Sequence, residues 1–299
     1  MLATHAIIAV FTVLSGAGAT AVEDDWLEQC SKLVTQYWPG TKVPWGDPTV
    51  AEAFQKACDA GAGVCCTQLG RAYFNGTGVM RDPERGVALF QRGCDRQDWA
   101  GCTGLGYAQL YGHGMPRNYE IAAEILRMSC DNGDMGACVT FAKMLHNGEG
   151  VEPDAHAAVG LFAAACDAGV ATGCATLGAE LLFGDGVAKK PKLGVKLLKM
   201  ACDAGVGYGC ALLGMAYSTG TGVRRNAKKA AVLFQQACDG GEATGCTALG
   251  FAYLQGTGVP LNERVALGLF LDACDKKESL ACETLREYDA GPASLGLGR

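Results

Sequence analysis

Charge is what this sequence has least of. Asp, Glu, Lys and Arg make up 19% of its 299 residues, the formal net charge is −6, and no five or six like charges run together. A nucleic-acid footprint needs a clustered basic face. The densest basic run here, Lys189-Lys190-Pro191-Lys192, is a short solvated stretch between helices. Histidine is scarce too. Beyond His5 there are only His113, His146 and His156, and none forms His-x-His or His-Glu-x-x-His. The usual zinc-hydrolase spacings are therefore missing. Past the first residues no stretch is long and apolar enough for a membrane-spanning helix. Hydrophobic residues still make up 49% of the chain, enough to bury a core, which excludes global disorder.

Glycine, at 43 residues, and cysteine, at 16, are in excess. The compartment has to be settled before the cysteines can be read. Ala6 to Leu14 is apolar except for Thr12 and too short to span a bilayer. Small residues follow, and Ala19-Thr20-Ala21 fits a small-x-small cleavage site, with Ala17-Gly18-Ala19 as a second option. The first region departs from the export pattern in having His5 but no Lys or Arg. Residues 1–21 are read as a signal peptide, with a mature start near Val22. In an oxidising compartment, cysteines at regular spacing imply a disulfide framework.

Fourteen of the cysteines share one spacing. The pairs are Cys58/Cys66, Cys94/Cys102, Cys130/Cys138, Cys166/Cys174, Cys202/Cys210, Cys238/Cys246 and Cys274/Cys282, each offset from the last by 36 residues. A fixed period of this length means stacked supersecondary units. After each second cysteine comes a small-residue helix such as Cys210 to Tyr217, with Leu213, Ala216 and Tyr217 on one face. Leu-Gly recurs in it at Gly70, Gly106, Gly178, Gly214 and Gly250, and Phe141-Ala142 is the exception. A Gly-x-Gly-apolar turn follows, as at Gly220/Gly222/Val223. Its first glycine is placed to close the helix in a left-handed conformation. No Lys-Ser/Thr follows and no strand precedes, so these glycines are not a phosphate cradle. Asp82, Asn118, Asp154, Asn226 and Asn262 then stand as N-caps of a second helix. Lys190 breaks that pattern, although Pro191 still suits the first helical position. The second helix carries an apolar pair such as Leu89-Phe90 and ends at Cys-Asp.

The Leu-Gly-x-x-Tyr, Gly-x-Gly-Val and Ala-x-x-Leu-Phe-x-x-Ala-Cys elements, from roughly Glu23 to Tyr288, resemble Sel1-like repeats, a branch of the tetratricopeptide-like solenoids. The Cys-x7-Cys form is similar to the secreted group typified by Helicobacter cysteine-rich proteins. A Sel1-repeat assembly factor of the mitochondrial intermembrane space is also cysteine-rich. The fold expected is all-α: a right-handed α-solenoid of about seven 36-residue helix–turn–helix repeats with Cys-x7-Cys disulfides. Superhelical stacking with a concave groove is what the resemblance implies. Residues 22–60 read as a degenerate N-terminal capping repeat, 61–278 as the solenoid, 279–289 as a C-terminal capping helix and 290–299 as a loose tail.

Two pairings are sterically open for the regular cysteines. Cys58 could meet Cys66 across the turn between helix pairs, or Cys66 could meet Cys94 within one pair. The resemblance favours the Cys-x7-Cys bridges. Each closes a short loop and adds about 2–3 kcal/mol when unstrained. Cys30 stands 36 residues before Cys66, and its regular partner position is Val22. Cys30 is therefore assigned to the surplus Cys65, tying the cap to the first full repeat.

The reading placed first is an exported scaffold that binds a protein or peptide in its groove, as a monomer, with no cofactor, metal, nucleic acid or membrane span. The groove candidates come from two positions on the first helices. Five residues after each second cysteine the chain has Arg71, Tyr107, Lys143, Ala179, Met215 and Phe251, and eight after it has Phe74, Leu110, His146, Leu182, Ser218 and Leu254. The first series varies while core positions stay fixed, which suits a recognition surface of cations and rings. The binding set is Arg71, Phe74, Tyr107, Lys143, His146, Met215 and Phe251. The alternative, from cysteine-rich relatives described as penicillin-binding or β-lactamase proteins, is binding of peptidoglycan fragments or penicillin with weak hydrolase activity. Ser-x-x-Lys, Ser-Asp-Asn and Lys-Thr-Gly are all absent, so no catalytic residue is assigned. Glu149, Glu152 and Asp154, near His146 and His156 in sequence, read as a solvated turn. A purely structural or redox-protective protein is the third reading. Periplasm or full secretion is the expected location, with the mitochondrial intermembrane space as the alternative.

Overall fold

The computed structural model describes Lys32 and residues 48–289. The expected signal peptide, Cys30 and the tail at 290–299 lie outside the described residues. Two compact units divide the chain, Met1–Asp134 and Met135–Arg299. The first contains α1 (Pro48–Asp59), α2 (Gly63–Asn75), α3 (Pro83–Asp95), α4 (Trp99–Tyr111) and α5 (Tyr119–Asp131). The second contains α6 (Met135–Asn147), α7 (Ala155–Asp167), α8 (Ala171–Phe183), α9 (Pro191–Asp203), α10 (Gly207–Thr219), α11 (Ala227–Asp239), α12 (Ala243–Gln255), α13 (Glu263–Asp275) and α14 (Ser279–Asp289). No strand occurs among the described residues. Within each unit every helix packs on its neighbours in sequence, and first helices also touch the first helix of the next repeat: α2 with α4, α8 with α10, α10 with α12. Each unit is thus a stretch of α-solenoid.

The Leu-Gly signature marks where the two helices of a repeat meet. A Cβ on Gly70 would lie 2.8 Å from Phe90 Cδ1, and one on Gly106 would lie 2.7 Å from Leu126 Cγ. Gly178 stands in the same way against Leu198, Gly214 against Phe234 and Gly250 against Phe270. These five apolar side chains are buried. Where Ala142 replaces the glycine, the buried Phe162 shares its cluster. Close packing of this kind makes the first-helix backbone the wall of a pocket for the second helix's largest side chain.

The ends of the helices follow the expected chemistry. Asp82, Asn118, Asp154, Asn226 and Asn262 each accept a hydrogen bond from the backbone N–H three residues on, at 2.8–3.2 Å. Lys190 makes no such cap, and Pro191 opens that helix. Gly76, Gly112, Gly184, Gly220 and Gly256 close the first helices in the left-handed conformation. The second glycine of each turn serves packing as well. Gly222, at φ +73°, leaves its α face against the start of the preceding second helix, where a Cβ would lie 2.5 Å from the Pro191 carbonyl oxygen.

Six disulfides join the end of a second helix, or of α1, to the start of the next first helix: Cys58–Cys66, Cys94–Cys102, Cys166–Cys174, Cys202–Cys210, Cys238–Cys246 and Cys274–Cys282. Their Cα atoms are 4.5–4.8 Å apart, within the range a disulfide spans. Of the two open pairings, these six follow the shorter. Cys65, Cys130 and Cys138 are also disulfide-bonded, and no described cysteine is free.

A second tie crosses the same turns. Thr103 Oγ1 donates to Asp134 at 2.9 Å, and Thr247 Oγ1 donates to Glu278 at 2.9 Å, each across 31 residues. Of the equivalent pair, Thr67 is buried and Asp98 half-buried. Two repeats replace the pair with apolar residues, Val139/Val170 and Ala175/Val206.

Three stability outcomes follow. Gly222→Ala combines a strained φ with a backbone clash and should cost about 3 kcal/mol or more. Gly205→Ala, at φ +85° with open space around the new Cβ, should cost only about 1 kcal/mol. In the interhelix turns, Gly61, Gly133, Gly169, Gly205 and Gly241 have φ > 0 where Gln97 and Lys277 sit at φ 61° and 65°. Gln97→Gly should therefore stabilise by up to about 1 kcal/mol. Equilibrium guanidinium unfolding with intact disulfides reads all three.

Candidate functional site

In the first unit, three of the groove candidates converge. Arg71 and Phe74 project from α2 and Tyr107 from α4, around a hollow of about 310 Å³ that Asn75, Phe90, Thr103, Gly104, Tyr111 and His113 also line. Phe90 forms its floor. A Cβ on Gly104 would lie 2.9 Å from that ring, so the glycine lets α4 close onto Phe90, which is buried. The wall is aromatic. Phe74 packs on Phe90 at 5.6 Å and edge-on to His113 at 6.0 Å, and Tyr111 stacks between Tyr107 at 6.2 Å and His113 at 6.1 Å. Tyr111 is 59% exposed, unusual for so large a ring in a folded chain. Neither Tyr111 nor His113 was among the sequence candidates. Tyr111 sits one turn after Tyr107, and His113 fills the variable slot between two turn glycines.

Behind the hollow, Asp98 carries a buried oxygen, Oδ2, with no hydrogen-bond partner among the described residues. Burial, the largest influence, pushes its carboxyl above the ordinary 3.8. The nearby Thr67 hydroxyl, the Arg71 guanidinium and the Ala100 N–H oppose this, and Asp134 adds to it.

In the second unit the candidates scatter. Lys143 and Met215 are exposed, whereas Phe251 packs on Phe270 at 5.0 Å as part of a core cluster. His146 is the exception. Its Nε2 lies 3.4 Å from Asp185 Oδ2 and its Nδ1 lies 4.0 Å from Glu180 Oε1. The carboxylates close to it in sequence play other parts: Asp154 caps α7, and Glu149 accepts from the Asn147 amide. Burial is the main cause raising the Glu180 carboxyl above its ordinary 4.5; His146 lowers it and Asp185 raises it further. On α10, burial followed by the charges of Glu180 and Glu242 pushes the Tyr208 phenol up. Glu180 escaped the sequence reading although its register is telling. Six residues after the second cysteine the other repeats have Ala72, Ala108, Met144, Ala216 and Ala252. A carboxylate at that core position is a signal in its own right.

A second hollow, of about 510 Å³, lies at the turn before α11 and is lined by Tyr217, Val223, Arg224, Arg225, Asn226 and Lys229. Lys229 already spends its ammonium there, donating to the Tyr217 hydroxyl at 2.8 Å. Cys238, Cys246 and Asp272 cluster as well, but the two sulfurs are joined to each other.

The Sel1 repeat model matches residues 63–98, 99–134, 137–170, 171–206, 207–242 and 243–277, more than half of the sequence. The chain belongs to the Sel1 repeat family. Among solved structures, a Sel1 repeat protein from Oxalobacter formigenes is 18% identical and has a TM-score of 0.70, covering 83% of this chain and 96% of that one. A protective antigen of uropathogenic Escherichia coli with an SLR fold is 21% identical, with a TM-score of 0.60 and coverage of 93% of this chain. This Sel1 protein spans 58% of that antigen's length. Helicobacter pylori cysteine rich protein B is 31% identical over 42% of this chain and 91% of its own, with a TM-score of 0.36. No curated protein matches the chain. Sel1 repeats are a protein-interaction fold, and the disulfides suit an oxidising, extracellular or periplasmic environment.

The Asp98 environment has a pH consequence. Between 3.8 and its raised folded value, the folded chain holds a proton that the unfolded chain has released. Stability at this group therefore falls as pH rises through that window. The Asp98→Asn variant should gain on the parent protein in melting temperature as pH rises above about 4. A parallel shift at all pH values would show that the buried charge has no such effect.

Proposed function

We propose that this Sel1 repeat protein is an exported, disulfide-stabilised scaffold that binds a protein or peptide partner on its first-helix face. The hollow of Arg71, Phe74, Tyr107, Tyr111 and His113 is the anchor point. The observation that carries this reading is the ring stack of Tyr107, exposed Tyr111 and His113 beside a guanidinium, over the buried Phe90. Rigid rings bury large area at small entropic cost, and Arg adds a charge-assisted hydrogen bond to a carboxylate. The segment expected to fit is an aromatic or aliphatic side chain flanked by an acidic residue. Lys143 and Met215, exposed on the second unit, are separate candidates for the same kind of contact. Residues 22–60 and 279–289 serve as caps, because an end repeat otherwise leaves apolar surface in water.

Peptide-phage selection against the immobilised oxidised protein tests the proposal. Enriched peptides should carry the acidic–aromatic pattern, and Tyr107→Ala and Arg71→Ala should each weaken them by about 30-fold, equivalent to about 2 kcal/mol. Peptides that bind both variants as well as the parent would move the interaction site elsewhere. Nitrocefin turnover that copurifies with the protein and falls in a Lys143→Ala/His146→Ala variant would put the hydrolase reading first.

A further inference from the structure

His146, Glu180 and Asp185 each depart from the repeat that contains them. His146 stands where other repeats have Phe74, Leu110, Leu182, Ser218 or Leu254; Glu180 stands where they have Ala or Met; Asp185 stands between two turn glycines, where others have Thr77, His113, Glu149, Thr221 or Thr257. Independent departures in two successive repeats converge on one point. One ligand atom from each lies within 4.8 Å of the others. A tetrahedral ion with bonds of about 2.1 Å separates its ligand atoms by about 3.4 Å. His146 Nε2 lies 3.4 Å from Asp185 Oδ2 and its Nδ1 lies 4.0 Å from Glu180 Oε1; an ion takes one of these nitrogens, so closing around it needs a turn of the imidazole or of the Asp185 side chain. Asp185, on an exposed turn, has room to adjust.

The second observation concerns unmet hydrogen-bonding capacity. Glu180 is 9% exposed, on a helix that otherwise buries small and apolar residues. Its Oε2 and His146 Nδ1 are both buried without a hydrogen-bond partner among the described residues. Leaving such atoms unmatched is costly. One imidazole against two carboxylates also leaves negative charge uncompensated. A dication answers both deficits at once. We infer that His146, Glu180 and Asp185 form a binding site for a divalent first-row transition ion, zinc in the first instance, on the first-helix face of the second unit. One nitrogen with two carboxylate oxygens suits such ions. Three protein ligands leave a coordination position for water or for a group from a partner.

The test uses the full disulfide-bonded chain, freed of metal with EDTA, exchanged into chelator-free buffer and titrated with zinc chloride by calorimetry. Cobalt(II) absorption serves as an independent readout of the ligand field. The expected result is one equivalent of zinc per chain, weakened at least about tenfold in Asp185→Asn and in Glu180→Gln. The exposed His156→Ala control should bind as the parent does. Asp185→Asn lies on an exposed turn, so it reads the ligand role even where Glu180→Gln disturbs packing. No zinc binding by the parent, or binding of equal strength in Asp185→Asn, would overturn the site.

Discussion

The fold depends on one contact repeated along the chain: a large second-helix side chain lodged against a first-helix glycine. Phe90 on Gly70, Leu126 on Gly106 and Phe270 on Gly250 bring paired helices close enough for the rest of the repeat to follow. With that distance set, the turn glycines can stack on the neighbouring repeat and the cysteine Cα atoms come within bonding range. The disulfides then lock an arrangement that packing has already chosen. This order also explains the composition. A chain with few charges and many glycines reaches a dense core because its glycines are seats for side chains rather than gaps.

Much of this was legible because the sequence contains its own alignment. Six or seven copies of one unit show which positions are constant, and constancy at a 36-residue spacing has a direct structural meaning. The N-caps, the closing glycines and the break at Lys190 could all be placed from the residues. The pairing of the cysteines could not, because both candidate pairings join antiparallel neighbours. Family resemblance pointed to the shorter bridge, and helix geometry bears it out at six of the turns.

The functional surfaces were harder to read, for a reason built into the architecture. Side chains that meet on the face of a solenoid come from successive repeats, so contacts lie about 34 to 39 residues apart in sequence, as in His146 with Glu180 and Asp185. Searching near His146 in sequence finds Glu149 and Asp154, which face other tasks. Comparing each residue with its equivalents in the other repeats works better. By that measure Glu180 stands out as a carboxylate in an alanine position. The ring stack around Tyr111 shows the same limit. Variation at Tyr107 could be seen in the sequence, but the part played by His113 depends on how a turn folds back toward α2.

The short bridges also bear on how such a chain can change length. Each spans eight positions at the junction between one helix pair and the next. A duplicated or deleted block of one period, cut anywhere outside those eight positions, gains or loses a complete cysteine pair. No thiol is left orphaned to scramble its neighbours. A cut inside a bridge rejoins half of one pair to the matching half of the next, so the eight-position spacing is restored there too. The covalent scheme that stiffens each turn is thus also one that lets the array grow or shrink by whole repeats while remaining foldable.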